Sequence, residues 1–550
     1  MSSERDSLSD ARIKGRRDLN AWQAAQPTDL FADDEALQAL VAHYGLEAHI
    51  PRFSSAGQVV AGPLDDAVRE NNIHRNLPVL DDWDGVGNYT ARVSHHPSWW
   101  RAGELIYGTG IMSLYGERPV PHQAILTLFY LTAQAGEAGH NCPLACDAGA
   151  IRTLQERGTK SQQERYLSPL LDPDFRTNFT ASQFLTEVQG GSDVGANAVL
   201  AESHDGQWRI TGEKWFCSNA DADVFVMTAR VGPAETGTRG LGLFLIPRVC
   251  PDGTLNRFRI RRLKDKLGTR SMASGEMDFQ GAYAEALGPV EEGFKTVINL
   301  VITTSRLYNA MGCSAHARRA WVVASTYAAH RRAFGRPIQD FAQTAETLAW
   351  MRSDAVACLA GSLWLIRMAE ELESGTLSEA EQAFFRVGVN LNKMRTSVLA
   401  HEAVNRGIEV LGGNGAIESF SILPRLLRDN VVYENWEGAH NVLRAQVLRD
   451  CMKLGVHRGF FAVLRERLGE RFGSELDADL AALERVLEES NEGLRDLRFR
   501  RLADRMATWI MIGGMSPSPE LRPALELSCR HLRELPIDTD YLRWVEALRR

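Results

Sequence analysis

Residues 184–193 read FLTEVQGGSD, and residues 212–219 read GEKWFCSN. The first stretch sets a Thr and a Ser at opposite ends of a Gly turn beside a strand edge. Such a turn offers hydroxyls and backbone N–H groups to a polar ring edge or a phosphate. Taken alone, it reads more simply as a turn joining two strands. Gly190-Gly191 is not a dinucleotide fingerprint, because the residues after it read as strand and not as a helix whose N-terminus would take a pyrophosphate. The second stretch places an aromatic pair next to Ser218, so one β surface carries both a stacking face and a hydroxyl. That combination points to a planar cofactor.

The same two-residue period runs outward through NFTASQFLTE, WRITGEKWFCS, ADVFVMTARV, LGLFLIPRV and GEMDFQGA. These segments are short, rich in Val, Phe, Thr and Ile, and divided by Gly, Asp, Asn and Pro, so residues 178–288 are expected to form a β domain. Residues 1–177 read as mostly helical, as in QAILTLFYLTAQAGEAGH, with a polar, Gly-rich stretch around DDWDGVGNY. Residues 289–455 read as a bundle of long helices, one of which carries Ala400, Val404, Ile408 and Leu411 on a stripe that Gly412-Gly413 ends. Residues 456–550 read as a separate, Arg-rich helical extension.

Composition narrows the function classes. At 550 residues and 44% apolar, the chain can bury several cores, and its length suggests roughly two to four domains. A net charge of -8 argues against a general preference for nucleic acid or anionic membrane. Eight scattered cysteines form no disulfide framework, which points to reduced thiols in the cytoplasm. The first twenty residues mix both charge signs around no apolar core, so they are not a secretory signal. No apolar run approaches the ~18 residues a membrane span needs. GxSxG, Walker and HExxH motifs are missing, which removes the nucleophilic and metal hydrolase classes. The single CxxxC in GHNCPLAC reads as a helix face with buried thiols and not as a metal site. His95 and His96 read as a turn before an aromatic cluster, and Cys217, with no adjacent His or Lys to activate it, as a small packing residue.

FLTEVQGGSD, GEKWFCSN, DKLGTRSMASGEMDF, RRAFGRPIQDF, LGGNGAIESFSILPRLLRD and NWEGAHNV, in that order, resemble the motifs of the acyl-CoA dehydrogenase family. RLKDKLGTRS, WEG, HHPSWW and the helical tail resemble its AidB-like branch. The resemblance implies a helical N-terminal domain, a middle β domain (barrel or sandwich) and a C-terminal helical bundle, here with the extra helical extension. It implies FAD as cofactor, an acyl thioester as substrate, a homotetramer and a flavoprotein electron acceptor. Residue by residue, it implies that Thr186 and the backbone of Phe184 and Leu185 contact the flavin pyrimidine edge. Gly191 and Ser192 would lie near the flavin or the thioester, Phe216 against the isoalloxazine, and Ser218 at its N5 side. Arg331, Phe334, Gly412, Gly413 and Gly415 would meet the pyrophosphate and adenine half of the FAD of a neighbouring subunit, and Asn441 would also bind the cofactor. Arg306, Trp436 and Gly438, with Ser192, would contact substrate, and Glu437 would be the catalytic base. Thr303 stands where the family pattern places an Asp that holds the pantetheine chain.

The implied chemistry explains these residue types. Oxidising a thioester at Cα–Cβ removes a weakly acidic α proton while a hydride leaves Cβ. One carboxylate in an apolar pocket suffices as base, since desolvation moves carboxylate pKa values toward neutrality. In this family a backbone N–H at the base and a ribityl hydroxyl polarise the thioester carbonyl. The alternative implied by the AidB-like likeness is a flavoprotein with weak dehydrogenase activity that chiefly binds nucleic acid or senses acyl-CoA. Arg495, Arg498, Arg501 and Arg505 do form a basic helical stripe in the tail. Residues 451–550 hold 17 basic and 17 acidic residues, however, so a solvated, acid-paired face is the favoured reading and DNA binding the minority one.

Overall fold

The computed structural model describes residues 10–549, which fall into two compact units. Of these residues, one unit comprises 62–309 and 435–442, and the other 10–61, 310–434 and 443–549. The grouping therefore follows contacts and not chain order.

The first unit is built on strands β3 (Ala181–Phe184), β4 (Leu200–His204), β5 (Gln207–Ser218), β6 (Val224–Arg230), β7 (Leu241–Pro247), β8 (Phe258–Leu263) and β9 (Ser274–Ala286). They pair in the order β3-β6-β4-β5-β9-β7, and a β6–β7 pairing closes the path into a barrel that β8 joins through β9. The five expected segments all contain strands, and β4 and β8 are additions the period-two reading did not list. Phe184, Cys217, Phe225, Met227, Phe244, Ile260, Met277 and Phe279 fill the barrel's buried cluster. β6 and β7 are buried at every position, so they read as continuous apolar runs and not as alternation.

Residues 79–94, which include the stretch read as polar and Gly-rich, form an antiparallel hairpin, β1 (Val79–Trp83) and β2 (Tyr89–Ser94). The Tyr89 hydroxyl accepts the Ile260 N–H, tying the hairpin to β8. His96 caps the Pro97–Tyr107 helix by accepting from the Ser98 N–H, and His95 stacks on Trp99 with ring centroids 3.8 Å apart, as the turn-and-cluster reading expected. The Asn141–Arg157 helix buries Cys146 and half-buries Cys142.

The second unit is helical. The Glu379–Leu411 helix buries Ala400, Val404 and Leu411 and stops at Gly412, whose φ of 61° is the conformation a residue without Cβ adopts freely. The tail, expected as a separate extension, packs into this unit. A Cβ at Gly514 would lie 2.5 Å from the Ala360 backbone, and one at Gly513 2.4 Å from the Trp364 ring, so these two glycines let the Glu492–Met515 helix approach the Ala342–Glu373 helix closely. The Trp509 indole N–H donates at 2.7 Å to Asp479 of the Gly473–Leu487 helix, tying that helix to the Glu492–Met515 helix. Among the described residues, no helix is long and apolar enough to cross a membrane.

Candidate active site

Glu437 stands between the Leu423–Asn435 and His440–Leu454 helices, in a link too short to remain helical. Its φ is 56° and that of Gly438 is 105°. Gly438 adopts such angles freely, whereas a non-glycine residue there stores about 1–3 kcal/mol of strain and persists only where its surroundings hold it. Here they do. The Arg306 Nε donates to the Glu437 carbonyl at 3.1 Å, and the Gln183 Nε2 donates to its carboxylate Oε1 at 2.9 Å. Arg306 is buried on the Thr303–His330 helix, and burial pulls its pKa down while the Glu437 charge pushes it up. A π-helical turn, Val297–Ile302, precedes that helix, and the Thr303 hydroxyl donates to the Ile298 carbonyl within it at 2.8 Å. Thr303 thus serves the helix itself.

Cys146 lies near the same carboxylate. Its contact with Cys142, then burial, then the neighbouring charges including Glu437, push the thiol well above the ordinary range. Next to it, burial raises Asp147 to about 8 against hydrogen bonds from the Tyr107 hydroxyl and the Ala181 N–H.

The turn after β3 is braced from beneath. Lys214 and Glu187 form a buried ion pair at 2.8 Å, with the Leu185 carbonyl accepting from Lys214 and the Ala198 N–H donating to Glu187. A Cβ on Gly191 would lie 2.5 Å from the Thr186 Oγ1, so glycine there keeps the Thr186 hydroxyl in place. The Phe184 side chain packs inward on Phe225, which leaves its backbone to face a ligand. Ser192 is exposed on the turn.

A bulge between Lys214 and Cys217 in β5 resets the alternation, sending Cys217 into the barrel and Phe216 and Ser218 outward. Burial pushes the Cys217 thiol up. Lys214 does lie near enough to pull it down, contrary to the expectation of no neighbouring Lys, but burial prevails. Phe216 is 51% exposed, with the Lys264 ammonium 4.8 Å from its ring centroid. An open aromatic face, a hydroxyl two residues along the same strand face and the Thr186 hydroxyl fit the face and edge of a flavin.

Apart from Asn441, the remaining expected cofactor residues lie on the helical unit. Arg331 and Phe334 frame the β10–β11 turn (Arg332–Ala333 and Arg336–Pro337), where Phe334 has φ 49° and its side chain is 96% exposed. Gly412 and Gly413 are exposed, and a Cβ on buried Gly415 would meet the Ile408 carbonyl at 2.3 Å. Asn441 is exposed, and Trp436 is half-buried. Gln183 and Ser305 were missed in the sequence. Gln183 stands 254 residues before Glu437, and nothing local marks it as the partner of a carboxylate. Among the described residues, no group of three His, Cys, Asp or Glu side chains is placed to hold a metal.

Three family models match successive parts of the chain: the AidB N-terminal domain of the adaptive response protein (residues 20–176), the acyl-CoA dehydrogenase middle domain (182–282) and the acyl-CoA dehydrogenase C-terminal domain (291–452). AidB of Escherichia coli K12 is 31% identical over 82% of this chain and 83% of its own. The chain belongs to the acyl-CoA dehydrogenase family. Members are FAD oxidoreductases, and FAD is the cofactor the site residues fit. Acyl-CoA dehydrogenase family member 11 of Caenorhabditis elegans is 32% identical over 72% of this chain, which spans 66% of that relative's length. A solved structure of C. elegans ACDH-11 in complex with C11-CoA superposes with a TM-score of 0.80 at 25% identity, covering 94% of each chain. The expected three-part fold is thus the observed one, with the N-terminal part of AidB type.

Proposed function

We propose that this acyl-CoA dehydrogenase oxidises an acyl thioester at Cα–Cβ, with Glu437 as the base. The observation that carries the reading is the fixed carboxylate: a strained residue whose carbonyl is held by Arg306 and whose Oε1 is held at 2.9 Å by Gln183. A group held this firmly takes a proton from one direction only, which is what abstraction from a specific Cα requires. Bound FAD supplies the two-electron acceptor for the hydride leaving Cβ. Phe184, Leu185, Thr186, Gly191, Ser192, Phe216 and Ser218 would hold its ring system, while Arg331, Phe334, Gly412, Gly413 and Gly415 would meet the pyrophosphate and adenine half of the FAD of a neighbouring subunit, and Asn441 would also contact the cofactor. Arg306 fixes the main chain of residue 437, so the Glu437 N–H is oriented for the thioester carbonyl. Trp436 and Gly438, on either side of Glu437 in the chain, would contact the substrate.

The likeness to ACDH-11, solved with C11-CoA, supports a CoA thioester as substrate. Thr303 in place of an Asp means that the pantetheine chain must be gripped by other groups. The same reading takes the protein as a cytoplasmic homotetramer that passes electrons to a flavoprotein, in keeping with eight free thiols and with the exposed Phe334 ring. The test is anaerobic titration of the oxidised flavin with straight-chain and branched acyl-CoAs. Bleaching of its absorbance by at least one of them is expected, and no bleaching by any would sink the reading. Glu437→Gln is expected to retain FAD and lose the bleaching.

A further inference from the structure

We infer that Gln183 is a positioning residue for Glu437, a clamp that ties the base to Ser305; the inference rests on Glu437 being the base. The Gln183 Nε2 donates at 2.9 Å to Glu437 Oε1 and at 2.8 Å to Ser305 Oγ, so both of its protons are committed. Ser305 is followed directly by Arg306, which holds the Glu437 carbonyl. Two consecutive residues of one helix therefore hold both ends of residue 437, Arg306 the main chain directly and Ser305 the carboxylate through Gln183. A glutamate side chain has three rotatable bonds, and its backbone tie alone leaves the carboxylate free to swing.

The direction of the amide carries the argument further. The Gln183 Oε1 is buried and accepts no hydrogen bond, at 3.5 Å from where a Cβ on Gly149 would sit. A buried acceptor left in that state costs about 1–3 kcal/mol. Turning the amide over would place its oxygen against a carboxylate oxygen, so the observed orientation is the one in which Glu437 Oε1 accepts a hydrogen bond. Gln183 thus aims the base.

The test is stopped-flow flavin reduction by the acyl-CoA that bleaches the wild-type holoenzyme fastest, with acyl-CoA Kd and FAD content measured in parallel. For Gln183→Leu, the limiting reduction rate is expected to fall roughly tenfold to a hundredfold, the scale of a misaimed catalytic group, with Kd within about threefold and FAD retained. Ser305→Ala is expected to be slower than wild type, and Gln183→Leu/Ser305→Ala no slower than Gln183→Leu, because Ser305 acts through Gln183. A wild-type limiting rate in Gln183→Leu, or additive losses in the double variant, would overturn the clamp. If Gln183→Leu fails to fold, Gln183→Met, of equal length and without the amide, decides by the same criteria. Glu437→Gln run alongside separates the two claims: continued reduction there removes the base reading and the clamp with it, whereas a dead Glu437→Gln beside a wild-type Gln183→Leu removes the clamp alone.

Discussion

Lys214 and Glu187 meet at 2.8 Å beneath the turn of residues 184–193, with both side chains essentially out of solvent. Burial lowers the Lys214 pKa, while Glu187 stays below the usual carboxylate range because Lys214 and the Ala198 N–H outweigh its own burial. Removing one partner leaves an uncompensated buried charge, which costs about 3–5 kcal/mol. Lys214→Met is therefore expected to lower the melting temperature and the FAD stoichiometry together. Adding Glu187→Gln should recover much of both, and calorimetry with flavin extraction checks it.

Gly191 bears on the cofactor more directly. A methyl there would press on the Thr186 hydroxyl. Gly191→Ala is expected to fold normally and to bind FAD roughly tenfold more weakly, about 1.4 kcal/mol, as read by titrating deflavinated protein.

Asp147 gives the stability a pH dependence. Its folded pKa, raised to about 8, lies above the unfolded value, so between those two values the folded state binds the extra proton. Its contribution is complete at acidic pH below the unfolded value, declines as pH rises, and is lost above about 8. Urea midpoints measured from pH 5 to pH 9 at constant ionic strength should fall with a slope that Asp147→Asn reduces.

The basic stripe in the tail is largely neutralised. Arg505 grips Asp479 with two nitrogens, at 2.9 and 3.1 Å, Arg498 pairs with Glu489 at 2.6 Å, and Arg495 lies 3.7 Å from Asp496. Duplex binding by the whole protein is expected to be weak at physiological salt and unchanged by Arg498→Ala with Arg501→Ala. A tight complex lost in that variant would restore the nucleic-acid reading.

The sequence by itself determined the family and the order of helical and β segments, and it marked the turn, the aromatic pair and the carboxylate as candidates. Those features are local, since hydrophobic period, turn chemistry and motif order are all written in neighbouring residues. It did not disclose β4, β8 or the β1–β2 hairpin, which depend on partners elsewhere in the chain and not on strong strand patterns of their own. It presented the tail as an appendage, because only packing brings Gly513 and Gly514 onto the Ala342–Glu373 helix. What tertiary structure alone decided is how Glu437 is held. Gln183, Ser305 and Arg306 reach it from 254, 132 and 131 residues away, and no local pattern records a hydrogen bond whose donor and acceptor meet only once the barrel and the helix are in place.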